Sequence, residues 1–172
     1  MAKNYFELFG LPARFDIDSK ELARRHRELI RLWHPDRFAQ GSSQERRLAV
    51  EMSANLNDGL KVLREPVDRA RYFLALNGVS TDEETDTAMD ASFLLEQMAW
   101  RERLEESGGD QGLIEALIAE VAGLNAHKEE LLTRVLTEAG AEGFSAARKL
   151  VREMQFLRRF ARELDEAQTG VL

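Results

Sequence analysis

Only three prolines punctuate the 172 residues, and the middle one, Pro35, falls between two runs whose apolar residues recur at helical spacing. Before it, Leu22, His26, Leu29, Ile30 and Trp33 lie at i, i+4, i+7, i+8 and i+11, one stripe along a helix. After it, Leu48, Ala49, Met52, Leu56, Leu60 and Leu63 form a second stripe. Proline disfavours the α conformation in the residue before it, so the first helix ends near His34. A loop follows from Pro35 to about Gly41, and Ser42 with Glu45 supplies a capping pair that opens the next helix. Two amphipathic helices joined by so short a connection bury their stripes by folding back on each other. An antiparallel helical hairpin is the expected result.

Short helices flank it. Asn4, with Glu7 three residues on, caps a short helix that places Tyr5, Leu8 and Phe9 on one face and stops at Gly10. Asp18 and Glu21 cap the helix that carries Arg24, Arg25, Arg27 and Arg31, and Pro66 opens a segment reaching Leu76. Farther on, residues 90–106, 110–138 and 144–166 carry helical periodicity, separated by Ser107-Gly108-Gly109 and by 140–143. Short connections predict a three-helix bundle. Its core stripes are Ile114, Leu117, Val121, Leu124, Leu131 and Val135 on the middle helix and Leu150, Met154, Leu157, Ala161 and Leu164 on the last. The chain thus reads as all-α, with one module at 1–77, a polar linker at 78–89 and a bundle at 90–172. Charge divides the same way. Residues 1–77 hold 14 Lys/Arg against 11 Asp/Glu, a net of +3, whereas residues 78–172 hold 10 against 20, a net of −10.

Composition excludes several kinds of chemistry. With no Cys there is no disulfide, no thiolate nucleophile and no cluster ligation by the chain's own thiolates, and no cofactor or metal is called for. No apolar run approaches the roughly 18 residues of a membrane span, which points to a cytoplasmic protein that binds no membrane. The Arg face of the basic helix lacks interleaved aromatics and the whole chain carries a net charge of −7, which argues against nucleic acid. His34 with Asp36 across a proline is too sparse for a catalytic constellation, so no enzymatic activity is expected.

The first helix of the bundle is unusual because it carries two apolar sectors. At about 100° per residue, Phe93, Trp100 and Leu104 cluster on one side with Gln97 among them, while Leu94, Leu95 and Met98 occupy another. Glu102 and Glu106 lie beside Leu95. On the last helix, Phe156 lies well off the core stripe and is expected at the surface. An exposed apolar patch rimmed by acids usually marks a protein partner.

The opening Asn4-Tyr5-Phe6-Glu7-Leu8-Phe9-Gly10-Leu11, the basic second helix and the tripeptide His34-Pro35-Asp36 at its end resemble a J domain, the module by which co-chaperones stimulate DnaK-type chaperones. More narrowly, Tyr5 to Pro12, Tyr72-Phe73-Leu74 after Arg69-Ala70, and Phe93-Leu94-Leu95-Glu96-Gln97 resemble the HscB family, the J-proteins of iron–sulfur cluster assembly. This resemblance spans essentially the whole chain. It implies an N-terminal J domain, a C-terminal three-helix bundle and two partners, an HscA-like chaperone ATPase and an IscU-like scaffold. On the chaperone side it implies His34, Pro35 and Asp36, with Arg24, Arg27 and Arg31 meeting an acidic surface. On the scaffold side it implies Leu94, Leu95, Met98, Glu102, Glu106 and Phe156. One position departs from the pattern, since Ala99 stands where some relatives carry an acid.

Plainer readings stay open at this point. The tripeptide could be only a helix stop, the arginines an ordinary solvated face, and the second apolar sector a surface covered by the first module or the linker. A general J-domain co-chaperone with a different client is the alternative function. Such proteins ordinarily carry a Gly/Phe-rich linker or a Cys repeat, and this chain has neither.

Overall fold

A computed structural model describes residues 4–81, 90–138 and 140–170; the expected linker lies outside the described residues from position 82 onward. The described chain is helical, without a strand, and separates into two compact units between Leu76 and Asn77.

In the first unit the expected caps are in place. The Asn4 side chain accepts the Glu7 amide at 2.9 Å and opens α1 (Tyr5–Leu8). Asp18 accepts the amides of Lys20 at 2.8 Å and Glu21 at 3.3 Å at the start of α2 (Ser19–Trp33). A 3₁₀ turn (Pro35–Phe38) follows, and then α3 (Ser43–Arg64), opened by a reciprocal capping box between Ser42 and Glu45. Pro66 starts α4 (Pro66–Leu76). Antiparallel α2 and α3 close over Phe6, Phe9, Leu22, Leu56 and Leu63, with Tyr5, Leu29, Ile30, Trp33 and Leu60 packed around them. The hairpin with short flanking helices is the arrangement expected of a J domain. His26 belongs to this packing: its ring lies 6.3 Å from that of Phe9 and its Nε2 is 3.1 Å from Asn57 Oδ1. Gly59 lets α1 approach α3 closely, because a Cβ there would stand 3.0 Å from the rings of both Phe9 and Tyr5. Leu48 departs from its expected place and is exposed. It sits about 80° off the arc set by Ala49, Leu56 and Leu63, too far round to reach α2.

The second unit contains α5 (Ala91–Glu106), α6 (Gln111–Glu138), a 3₁₀ turn (Gly140–Gly143) and α7 (Phe144–Thr169). Asp90 caps α5 through the Ser92 amide at 3.0 Å, and Asp110 accepts the Leu113 amide at 3.1 Å at the head of α6. α7 runs three residues past its expected end and stops at Gly170, whose φ of 69° only glycine adopts freely. The core joins Phe93 and Trp100 of α5, Leu117 and Val121 of α6, and Phe156, Leu157, Phe160 and Leu164 of α7.

Three details of the expected stripes change. On α6 the buried residues after Val121 are Leu132 and Leu136, with Leu131 and Val135 only half-buried. A strict spacing of seven falls back about 20° per heptad on a straight helix, which carries Leu131 to the edge. On α7, Val151 and Phe160 are buried where Leu150 and Ala161 are half-buried. Phe156, expected at the surface, is 5% exposed. α7 is covered on two sides, by α6 along one arc and by α5 along another, so a single stripe underestimates what it buries. Phe156 fills the second arc, against Phe93, Trp100 and Phe160.

Candidate functional site

Helix α2 ends because Pro35 has no N–H to give, and this leaves the last carbonyls of the helix short of donors. His34 adopts the extended conformation required before proline, with φ −61° and ψ 128°. Its carbonyl accepts the Arg37 amide at 3.0 Å and its Nδ1 accepts the Asp36 amide at 3.3 Å, so the proton of the neutral ring sits on Nε2. Asp36 Oδ2 lies 3.5 Å from the same Nδ1. Both side chains face solvent, 55% exposed for His34 and 90% for Asp36. The Asp36 carboxylate is therefore an acceptor offered outward from a rigid turn. The rings of Trp33 and Phe38, which flank the tripeptide in the chain, stack 5.9 Å apart and 12° from parallel. Arg37, which the sequence reading did not single out, donates from Nη1 to the Arg31 carbonyl at 3.3 Å, the acceptor that Pro35 would otherwise have served. Its place directly after the motif was the available signal.

The basic face of α2 divides into two parts. Arg24 is held by Glu21, at 2.7 and 2.8 Å, and by Glu28. Arg25 bonds Glu21 at 2.6 Å and donates to the carbonyls of Phe9 at 2.8 Å and Gly10 at 2.7 Å, pinning the end of α1 to α2. With Arg24 first and Arg25 second as hydrogen-bond donors, the Glu21 carboxyl is pulled down to about 2, and the same bonds push Arg24 up. Arg27 and Arg31 are exposed and form no ion pair among the described residues. They, rather than Arg24, carry the uncompensated charge of this face.

In the second unit, Leu94, Leu95 and Met98 are 43%, 67% and 68% exposed. Glu102 and Glu106 continue the same side of α5 and are also exposed, as is Ala99. The five expected α5 residues thus share one surface, apolar at its N-terminal end and acidic at its C-terminal end. Phe156 does not join them. Its ring lies inside, edge-on to Phe93 at 5.8 Å, and the Arg101 guanidinium covers its outer side at 5.7 Å. On the α6 side, Glu120 accepts from the Trp100 indole N–H at 2.8 Å and from Arg103 at 2.9 and 3.1 Å. The Trp100 bond leads in drawing the Glu120 carboxyl below its ordinary range, against the opposing effect of burial, and fixes the rotation of α5. Lys128, paired with Glu153, places its ammonium 5.1 Å above the Phe93 ring and secures the N-terminal end of the helix. α5 is locked by its inner face, so its outer apolar residues have no inward alternative.

Among the described residues no cluster of three or more His, Asp or Glu is placed to hold a metal ion, and no helix is long and apolar enough to cross a membrane.

The family described as the HSCB C-terminal oligomerisation domain matches residues 89–165. The co-chaperone protein HscB homolog of Shewanella baltica is 40% identical over 172 residues, covering 98% of this chain and 99% of the relative. Its counterpart in Bordetella petrii is 42% identical over 167 residues, covering 97% of each. Among solved structures, chaperone HscB from Vibrio cholerae superposes with a TM-score of 0.84 at 32% identity, over 98% of this chain and 99% of that one. Human co-chaperone protein HscB does so with a TM-score of 0.88 at 27% identity, over 95% and 81%. On relatives matched over nearly their whole length, the chain belongs to the HscB family of co-chaperones.

Proposed function

We propose that this co-chaperone stimulates the ATPase of a DnaK-type, HscA-like chaperone through the turn His34-Pro35-Asp36 and carries an IscU-like scaffold to it on the outer face of α5, assisting iron–sulfur cluster maturation in the cytoplasm. The observation that carries this reading is the exposed Asp36 carboxylate on a turn braced at the end of the basic helix α2. No bond is made or broken by this chain. A chaperone that exchanges between arrangements of its domains is biased by whatever binds one arrangement better. Asp36 supplies an acceptor for a chaperone guanidinium, and Arg27 and Arg31 steer encounter with an acidic surface, with Arg24 contributing less because Glu21 and Glu28 already hold it. Pro35 restricts the turn beforehand, so less freedom is lost on docking.

We assign residues 1–77 to the chaperone, 90–172 to the scaffold and 78–89 to the link between them. Leu94, Leu95 and Met98 would anchor the scaffold, with Glu102 and Glu106 at the rim and Phe156 supporting the face from below. Carrying both surfaces in one chain raises the scaffold's effective concentration at the chaperone. The test is reconstitution of chaperone, scaffold and co-chaperone with ATP turnover as readout. The full chain should stimulate turnover, scaffold should add to it, and His34→Gln or Asp36→Asn should abolish both effects with the melting temperature unchanged. Full stimulation by either variant would defeat this reading. A general J-domain co-chaperone with another client would stimulate alone but show no further response to scaffold.

A further inference from the structure

Three carbonyls at the end of α2 lose the amides that a continuing helix would have supplied. Arg31 would take the N–H of Pro35, which does not exist; Leu32 would take that of Asp36, which is given to His34 Nδ1; Trp33 would take that of Arg37, which is given to the His34 carbonyl. The Arg37 guanidinium serves Arg31. The Trp33 carbonyl is served from another helix, by the Ser53 hydroxyl of α3 at 2.7 Å across a sequence separation of 20. Ser53 is partly buried and reaches the backbone directly before His34. Together with the Trp33–Phe38 stack, it fixes the point from which the tripeptide departs.

We propose that Ser53 is a positioning residue for the chaperone-binding turn: by holding the Trp33 carbonyl it sets the direction in which His34 and Asp36 leave α2. This rests on the proposed action of that turn on a chaperone ATPase. The physical reason is that, beyond the His26–Asn57 contact two turns back, this end of α2 is otherwise held to α3 by side-chain packing, which tolerates small rotations of the last turn. A short hydrogen bond to one named carbonyl does not. Losing it would leave the core of the hairpin intact while widening the range of positions that Asp36 samples, and docking would then have to reorder it.

The test uses the full chain and two substitutions. Ser53→Ala should raise the co-chaperone concentration for half-maximal ATPase stimulation about three- to tenfold, the order expected for one hydrogen bond. Ser53→Thr, which keeps the hydroxyl, should stay within about twofold of the parent on the same footing. In the free protein, amide chemical shifts in Ser53→Ala should move at residues 33–38, besides the unavoidable change within a turn of position 53, and hold across the rest of α2 and α3. Unchanged stimulation by Ser53→Ala overturns the proposal. So does a loss accompanied by shifts spread along both helices and a lowered melting temperature, which would make Ser53 a general fastener of the hairpin. If the parent itself gives no stimulation, the functional reading fails, and the positioning role is decided by the shifts alone: beyond the turn around position 53, confined to 33–38 they support it, absent there they overturn it.

Discussion

The ring of Phe156 meets that of Phe93 edge to face, with centroids 5.8 Å apart and planes at 86°. Through this contact α7 supports α5 from within, and the exposed Leu94 and Leu95 are carried directly beyond Phe93 in the chain. Removing a buried Phe deletes its transfer free energy and leaves a cavity as well. Phe156→Ala is therefore expected to cost about 3–5 kcal/mol in urea unfolding. Substituting Leu94, Leu95 and Met98 together should change stability far less, each within about 0.5 kcal/mol. Comparable losses from the two sets would mean that the α5 face is core after all.

Much of this architecture can be read from local chemistry. Asn4, Asp18, Ser42 and Asp90 start helices where a side-chain oxygen can reach orphan amides, and Pro35 stops one for want of an N–H. The α5 surface is legible for a related reason: one inner arc is enough to hold a helix lying on one side of a bundle, so Leu95 and Met98 stand out as surplus. Phe156 is not legible that way. Its burial depends on α7 having two neighbours, a tertiary fact that a wheel drawn for one stripe does not contain. The pairing of Arg24 with Glu21 and Glu28 is legible in the i,i+3 and i,i+4 spacing, though a count of arginines along the helix passes over it, whereas the Ser53 bond to Trp33 joins residues 20 apart and does not follow from periodicity.

That pairing divides the arginines of α2 functionally. Arg27 and Arg31 project charge into solvent, whereas the field of Arg24 is largely cancelled at close range. Exposed charges are screened over about 8 Å at physiological ionic strength, so association with the chaperone should slow as salt is raised. In stopped-flow measurements, Arg27→Glu with Arg31→Glu should reproduce the high-salt rate. Arg24→Ala should slow association less than Arg27→Ala or Arg31→Ala. Equal effects from all three would show that the Glu21 and Glu28 contacts do not persist in solution.

Glu21 gives the same contacts a pH signature. Its carboxyl titrates near 2 in the folded chain, chiefly through Arg24 and then Arg25, against an ordinary value of 4.5. A depressed carboxyl stabilises the fold above the unfolded value and loses that contribution as pH falls toward the folded one. The difference in stability between the parent and Glu21→Gln should therefore be constant above about pH 5 and shrink between about pH 4.5 and 2. Thermal melts of both proteins across that range provide the check. A difference that stays flat down to pH 2 would show the carboxylate unpaired in solution.

The α5 face separates anchoring from steering. Leu94, Leu95 and Met98 offer apolar side chains at one end, and Glu102 and Glu106 present charge at the other. Interfaces draw most of their energy from a few central anchors, while rim charges act mainly on encounter rate and discrimination. Replacing the three apolar residues with Ala should weaken scaffold binding at least about 30-fold, the consequence of losing more than about 2 kcal/mol at such anchors, and should do so mainly through faster dissociation. Replacing Glu102 and Glu106 with Gln should instead lower the association rate and its salt dependence, with a smaller change in dissociation. Biolayer interferometry on the full chain resolves the two rates, and stimulation of the chaperone without scaffold serves as the control that the other module is intact. If the apolar variant binds scaffold with the parent's dissociation rate, the anchor lies off this face; if the acidic variant alone abolishes binding, the face works by charge and its leucines are incidental.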